Sequence, residues 1–217
     1  MQTQEAKLYD LISGLGGRYH LTAADKLLPE PQRTEELTEI LGACVKEGWL
    51  DGARNTAELL PEPQRTKELT EILGVCVKGG WLDDARKTAE LLDRSLTPEE
   101  LTRILGARVK EGWLGEAQKT AELLGRSLTP EELTGILGVC VKEGWLDDAR
   151  KTAKLLGRSL TPEELTGILG ACVKKGWLDG ARETAELLPE PRRTKELTGI
   201  LGAVSYTHLT LPTTPYV

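Results

Sequence analysis

Thr129-Pro-Glu-Glu-Leu-Thr-Gly-Ile-Leu-Gly-Val-Cys-Val-Lys-Glu-Gly-Trp145-Leu-Asp-Asp-Ala-Arg-Lys-Thr-Ala-Lys-Leu-Leu-Gly-Arg-Ser-Leu160 is followed, from Thr161, by nearly the same 32 residues again. The repetition runs outward from there. Tryptophans stand at 49, 81, 113, 145 and 177, each 32 residues from the next. A fixed period of this length marks a solenoid, in which each repeat buries its apolar face only by stacking on neighbours. Full repeats begin at Arg33, Arg65, Thr97, Thr129 and Thr161, and a sixth starts at Arg193 and breaks off.

Inside one repeat the helix signals are explicit. Thr129 is placed to cap, Pro130 occupies the first helical position and Glu132 the third, the pattern of a capping box. Leu133, Ile136, Leu137, Cys140 and Val141 then recur with the spacing of an amphipathic helix, here helix A. Gly144 stops it. A second helix, B, is expected from near Trp145 to Leu156, with Trp145, Leu146, Ala149, Ala153 and Leu156 on its apolar side. Asp147, Arg150, Lys151 and Lys154 make up its charged side. Two helices and two short turns in so few residues require an antiparallel hairpin. The predicted fold is therefore all-α, a right-handed α-solenoid of stacked antiparallel helical hairpins.

The domain organisation follows from the same period. Residues 1–32 carry a shortened repeat without a Trp. Leu8-Tyr-Asp-Leu-Ile-Ser-Gly14 echoes Leu37-Thr-Glu-Ile-Leu-Gly-Ala43, so this segment is expected to be a degenerate N-terminal capping repeat. Residues 33–203 hold the five full hairpin repeats and the truncated sixth. The text from 204 to 217 has no charge and no helical period. It reads either as a disordered Pro/Thr-rich tail or as a translated sequencing adapter at the end of a fragment, in which case the natural protein is longer.

Composition narrows the function classes. Phe is absent and Met occurs once, so the core must be Leu, Ile, Val and Ala with the tryptophans. The net charge of −6, from 34 acidic and 28 basic residues, lacks the basic excess of a nucleic-acid footprint. Cys44, Cys76, Cys140 and Cys172 share one place in the repeat. Stacked helices lie about 8–10 Å apart, too far for a disulfide, so these read as small core residues in a reducing compartment. No metal site is expected, because the spacing supplies one thiol per repeat. The start lacks the pattern of a signal peptide, and no apolar run approaches a membrane span. The expected location is the cytoplasm.

No catalytic constellation is present. The only histidines are His20 and His208, outside the full repeats. Gly14-Leu-Gly-Gly17 lacks the third glycine and the preceding strand of a dinucleotide site. Neither an enzyme activity nor a cofactor is expected.

Binding residues are sought on the polar side of helix A. Lys46, Lys78, Lys110, Lys142 and Lys174 recur near its end. They either track an anionic partner or only complement the helix dipole. The clearest variation on that side is at Glu39, Glu71, Arg103, Gly135, Gly167 and Gly199. Gly42, Gly74, Gly106, Gly138, Gly170 and Gly202 occupy one interior position of helix A, each costing about 1 kcal/mol in helix propensity. Beside a Thr present in every repeat, they are expected to admit a neighbouring helix backbone. Each Trp is expected to wedge between hairpins. Arg108 replaces Cys in mid-core, so it must reach water or an acidic neighbour.

The Ile-Leu-Gly of helix A and the Ala149-x-x-x-Ala153 of helix B resemble tetratricopeptide repeats. Cys140-Val-Lys-Glu-Gly-Trp-Leu-Asp-Asp-Ala-Arg150 is similar to the middle of a pentatricopeptide repeat. The unit also looks like 32-residue repeats of uncharacterised bacterial proteins. The period is shorter than in the first two families, and a Thr stands where tetratricopeptide helix A carries a large aromatic. The tetratricopeptide resemblance implies that helix A lines a binding surface. Glu39, Glu71 and Arg103, with the five lysines, then form the recognition strip of a protein- or peptide-binding scaffold. Weakly specific RNA binding along the lysine ladder is the alternative. Base-by-base RNA reading is disfavoured, because the corresponding Thr does not vary. Neither a membrane nor a small-molecule substrate is implied.

Overall fold

The computed structural model describes residues 29–209. Among these described residues there are eleven helices and no strand. In order they are α1 Glu30–Lys46, α2 Leu50–Ala57, α3 Gln64–Lys78, α4 Leu82–Leu91, α5 Pro98–Glu111, α6 Leu114–Leu123, α7 Pro130–Glu143, α8 Leu146–Leu155, α9 Pro162–Lys175, α10 Leu178–Glu186 and α11 Arg192–Leu209. The odd-numbered helices through α9 are helix A of successive repeats, and the even-numbered ones helix B. Of the expected capping repeat at 1–32, all but residues 29–32 lies outside the described residues. Helix α11 runs on through Leu209, so 204–209 extend a helix where a tail was expected, and 210–217 lie outside the described residues.

The chain divides into two compact units, Met1–Ile104 and Leu105–Val217, the border falling inside α5. In the first, α1 packs on α2, α2 on α3 and α3 on α4. Its core joins Leu37, Leu41 and Cys44 to Leu69, Ile72, Leu73 and Cys76 through the alanines and leucines of α2 and α4. In the second, α7 packs on both α8 and α9, α9 on α10 and α10 on α11. Leu133, Ile136, Leu137 and Cys140 of α7 lie in one cluster with Leu165, Ile168, Leu169 and Cys172 of α9, closed by Ala149, Ala181 and Ala185. The apolar spacing of helix A is thus the buried face.

One residue serves as both the end of helix A and the start of helix B. Gly144 takes a left-handed φ of 79°, open to glycine at little cost. The Trp145 N–H then reaches back to the Cys140 carbonyl at 2.9 Å, closing a Schellman cap. The Trp145 carbonyl in turn accepts the Ala149 N–H at 3.0 Å, the first bond of α8. Helix B therefore begins after the tryptophan. The same Trp-to-helix-A bond forms at Trp49, Trp81, Trp113 and Trp177, at 2.8 to 3.0 Å.

The two junctions from helix B to the next helix A are different capping devices, each with its own chemistry. In the Arg-Ser-Leu-Thr-Pro type, Thr129 accepts the Glu132 N–H at 3.2 Å and Glu132 accepts the Thr129 N–H at 2.8 Å. Arg126 grips both oxygens of the same carboxylate at 2.7 and 2.8 Å and donates to the Ser127 carbonyl at 3.0 Å. Arg94–Glu100 and Arg158–Glu164 repeat this geometry. In the Pro-Glu-Pro type, Glu62 accepts the Thr66 hydroxyl at 2.7 Å and pairs with Arg65 at 2.9 Å, while Glu190 accepts the Thr194 hydroxyl at 2.9 Å. Those junctions contain cis Glu62–Pro63 and Glu190–Pro191 bonds.

Candidate binding surface

Helix A presents its solvent side as a band opposite the core. On α7, Glu131, Thr134, Gly135, Gly138 and Lys142 fall within one arc of about 100°, from the 3.6-residue turn, and all are exposed. Thr134 has its hydroxyl tied to the Pro130 carbonyl at 2.7 Å. The expected recognition residues Glu39, Glu71, Arg103, Lys46, Lys78, Lys110, Lys142 and Lys174 are each exposed. Glu71 lies 3.9 Å from Lys67. Of the five lysines none has an ion-pair partner among the described residues.

The glycines overturn one expectation. A Cβ added at Gly42, Gly74, Gly106, Gly138 or Gly170 would meet nothing within 4 Å. These interior glycines admit no helix; they face open space. Close approach occurs three residues earlier instead. A Cβ on Gly135 would lie 3.2 Å from Val109 Cγ1, and one on Gly167 would lie 2.7 Å from Val141 Cγ1. In the second unit, two of the positions read as recognition variation, Gly135 and Gly167, are where neighbouring A helices touch, while a Cβ at Gly199 would meet nothing within 4 Å.

The tryptophans also depart from expectation. Trp113 is 53 % exposed, Trp177 45 %, Trp49 39 % and Trp81 37 %. Only Trp145 is more covered, its ring reaching the preceding turn, where it lies 3.3 Å from the Cβ position of Gly112. The Trp81 ring folds over Gly79 in its own turn. A cap residue cannot also lie in the helix-B core face, and so each of these four rings stands at the edge of its own turn. Cations rest on two of the rings: Arg108 at 5.3 Å from the Trp113 centroid and Lys175 at 4.8 Å from that of Trp177.

Two buried polar groups organise the interior. Arg108 meets the acidic neighbour it required, Glu111, at 2.8 Å. Arg54, the counterpart of Arg150 on the charged side of helix B, is buried; it pairs with Asp51 and donates to Asp84 Oδ1 at 2.9 Å and to the Thr88 hydroxyl at 3.3 Å, joining α2 to α4. Its signal in the sequence was Asp84, which pairs only when the two B helices are set side by side. Thr88, Thr120, Thr152 and Thr184 are completely buried, each hydroxyl donating four residues back at 2.6 to 2.8 Å.

The cysteines are core residues, as expected. Cys172 Sγ points at the Gly144 carbonyl, 3.4 Å away in the preceding turn. Burial, assisted by the Asp148 charge, pushes the Cys140 thiol up to about 11, and burial raises Cys44, Cys76 and Cys172. All four are free thiols, inert as nucleophiles at neutral pH. Among the described residues no group of three or more His, Cys, Asp or Glu could hold a metal. No helix there is long and apolar enough to cross a membrane.

A scan against protein-family models finds no match, and a search among curated proteins finds none. The helical-hairpin repeat is accordingly a statement of architecture.

Proposed function

We propose that the chain is a protein- or peptide-binding scaffold, tetratricopeptide-like in its hairpins, working by contact and not by catalysis. Half-exposed tryptophans in each of the two units carry this reading. Four large rings stand 37–53 % exposed, although Trp is a residue that interfaces concentrate and ordinary surface does not. The exposed glycines and threonines of the helix-A band, between its acidic and basic ends, add a low surface. Four buried free thiols support residence in a reducing compartment, the cytoplasm.

A second reading, weakly specific RNA binding, is favoured by one observation. The five lysines are exposed and have no ion pair among the described residues, and four of them stand three residues before an exposed Trp; stacking beside positive charge suits single strands. Pull-down from a peptide library, set against a salt titration with single-stranded RNA, separates the two. Peptide capture that is lost in Trp113→Ala/Trp177→Ala supports the scaffold. RNA affinity falling steeply with salt, without peptide capture, replaces it.

A further inference from the structure

The helix-A band is self-complementary, and on that ground we propose that α7 and α9 form an interface between two copies of this chain. This deepens the scaffold reading by naming the partner. The band on α7 runs from Glu131 through Thr134, Gly135 and Gly138 to Lys142, and on α9 from Glu163 through Thr166, Gly167 and Gly170 to Lys174. Each helix thus carries an acid at its first turn, a base at its last, and nothing longer than Thr between. Acid and base are eleven residues apart, or roughly 16 Å along the helix. The two helices pack side by side, so acids form one rail and lysines the other.

A second copy turned over on a two-fold axis parallel to the rails meets this surface with its helices antiparallel. Glu131 then faces the other copy's lysine rail and Lys142 its acidic rail, while glycine lies against glycine. Such an isologous contact satisfies both copies with one patch. The other in-plane axis sets acid on acid and is excluded by repulsion. Close approach needs an unobstructed floor, and the floor is present at a cost. Gly138 and Gly170 each forgo helix stability relative to Ala, yet a Cβ at either would meet nothing within 4 Å among the described residues. An intramolecular packing role therefore does not account for them. Glu163 is held by Arg192 at 3.3 Å in the isolated chain and would exchange that exposed partner on association; Glu131, Lys142 and Lys174 have none to give up among the described residues.

Sedimentation equilibrium on the full chain, over a concentration range reaching hundreds of micromolar, tests the proposal. The wild-type chain is expected to dimerise. Gly138→Gln/Gly170→Gln, which fills the floor with a good helix former, is expected to be monomeric and no less stable. Lys142→Glu/Lys174→Glu and Glu131→Lys/Glu163→Lys are each expected to be monomeric alone and to form a one-to-one heterodimer when mixed, because all-acid rails then meet all-base rails. A wild-type chain monomeric throughout, or a dimer indifferent to the Gln pair, overturns the proposal. Peptide capture that survives in the monomer leaves the scaffold reading standing, and loss of capture with an intact dimer removes that reading alone.

Discussion

Two glycines three residues apart on α9 are expected to respond to the same substitution with opposite signs. At Gly170, alanine adds a methyl that meets nothing within 4 Å. Helix propensity then acts alone, and Gly170→Ala should stabilise by about 1 kcal/mol. At Gly167 the same propensity gain is opposed. The new Cβ would lie 2.7 Å from Val141 Cγ1, against about 3.5–4.0 Å for comfortable carbon contact. Val141 is β-branched and has essentially one rotamer in a helix, so it cannot swing aside. Separating α7 from α9 locally costs about 1–3 kcal/mol, the range for an added methyl in a packed site. The net is a destabilisation of about 1 kcal/mol. In a chain this long each kcal/mol moves Tm by about 2–4 °C, so the two variants should melt on opposite sides of wild type, several degrees apart. Calorimetry or circular dichroism at 222 nm, with urea midpoints as a second measure, gives the signs. Equal stabilisation by both would refute the helix-to-helix contact at Gly167 and the account of which glycines pack.

Three further outcomes follow from the polar groups. Arg54→Ala should lower stability by about 2 kcal/mol, because a buried guanidinium with two carboxylate partners and a hydroxyl partner is removed together with its packing; a urea midpoint shift of a surface substitution's size would place Arg54 in solvent. Arg108→Cys should be within about 0.5 kcal/mol of wild type, since the Glu111 pair and the cation–π contact with Trp113, worth about 0.5–1 kcal/mol, offset the gain from restoring a small core residue; calorimetry showing a large rise in Tm would mean the arginine is strained. Acid should weaken the Arg-type junctions. The Arg94, Arg126 and Arg158 guanidiniums, ahead of the capping N–H bonds, hold Glu100, Glu132 and Glu164 below the usual carboxylate range. A carboxyl depressed in the folded state contributes stability above its unfolded pKa of about 4.3 and loses it as pH falls through the folded value. Replacing all three by Gln should therefore flatten the urea midpoint against pH between about 5 and 3; an unchanged slope would show that the pairs are too solvent-screened to matter.

Much of this fold is legible because each repeat states its boundaries with residues that act locally. Thr129, Pro130 and Glu132 cap within four positions, and Gly144 ends the helix by its own conformational freedom. The apolar spacing from Leu133 to Cys140 needs no partner to be recognised. What escaped are the features set by juxtaposition. Whether Gly135 or Gly138 faces the neighbouring helix depends on the rotation of α7 against its neighbours, which the period does not contain. The burial of Arg54 requires Asp84 from the next repeat. The exposure of the tryptophans comes from a single residue closing one helix and opening the next. The polar side of helix A is exposed as its period implies, whereas four of the five tryptophans, expected as wedges between hairpins, stand half-exposed at their turns.

The Arg-type junction is self-contained, and that makes repeat number an adjustable quantity. Arg126, Thr129 and Glu132 complete one joint within seven residues. Excising Thr129–Leu160 leaves Leu128 joined to Thr161, the same Leu-Thr link, with Glu164 now six positions after Arg126, as Glu132 was. Val109 then meets Gly167 in place of Gly135, and Cys172 takes the place of Cys140 beneath Gly112. Nothing in the joint registers that a repeat has gone. A lineage carrying this sequence could gain or lose whole hairpins by recombination between near-identical stretches, altering reach while leaving every connection chemically unchanged.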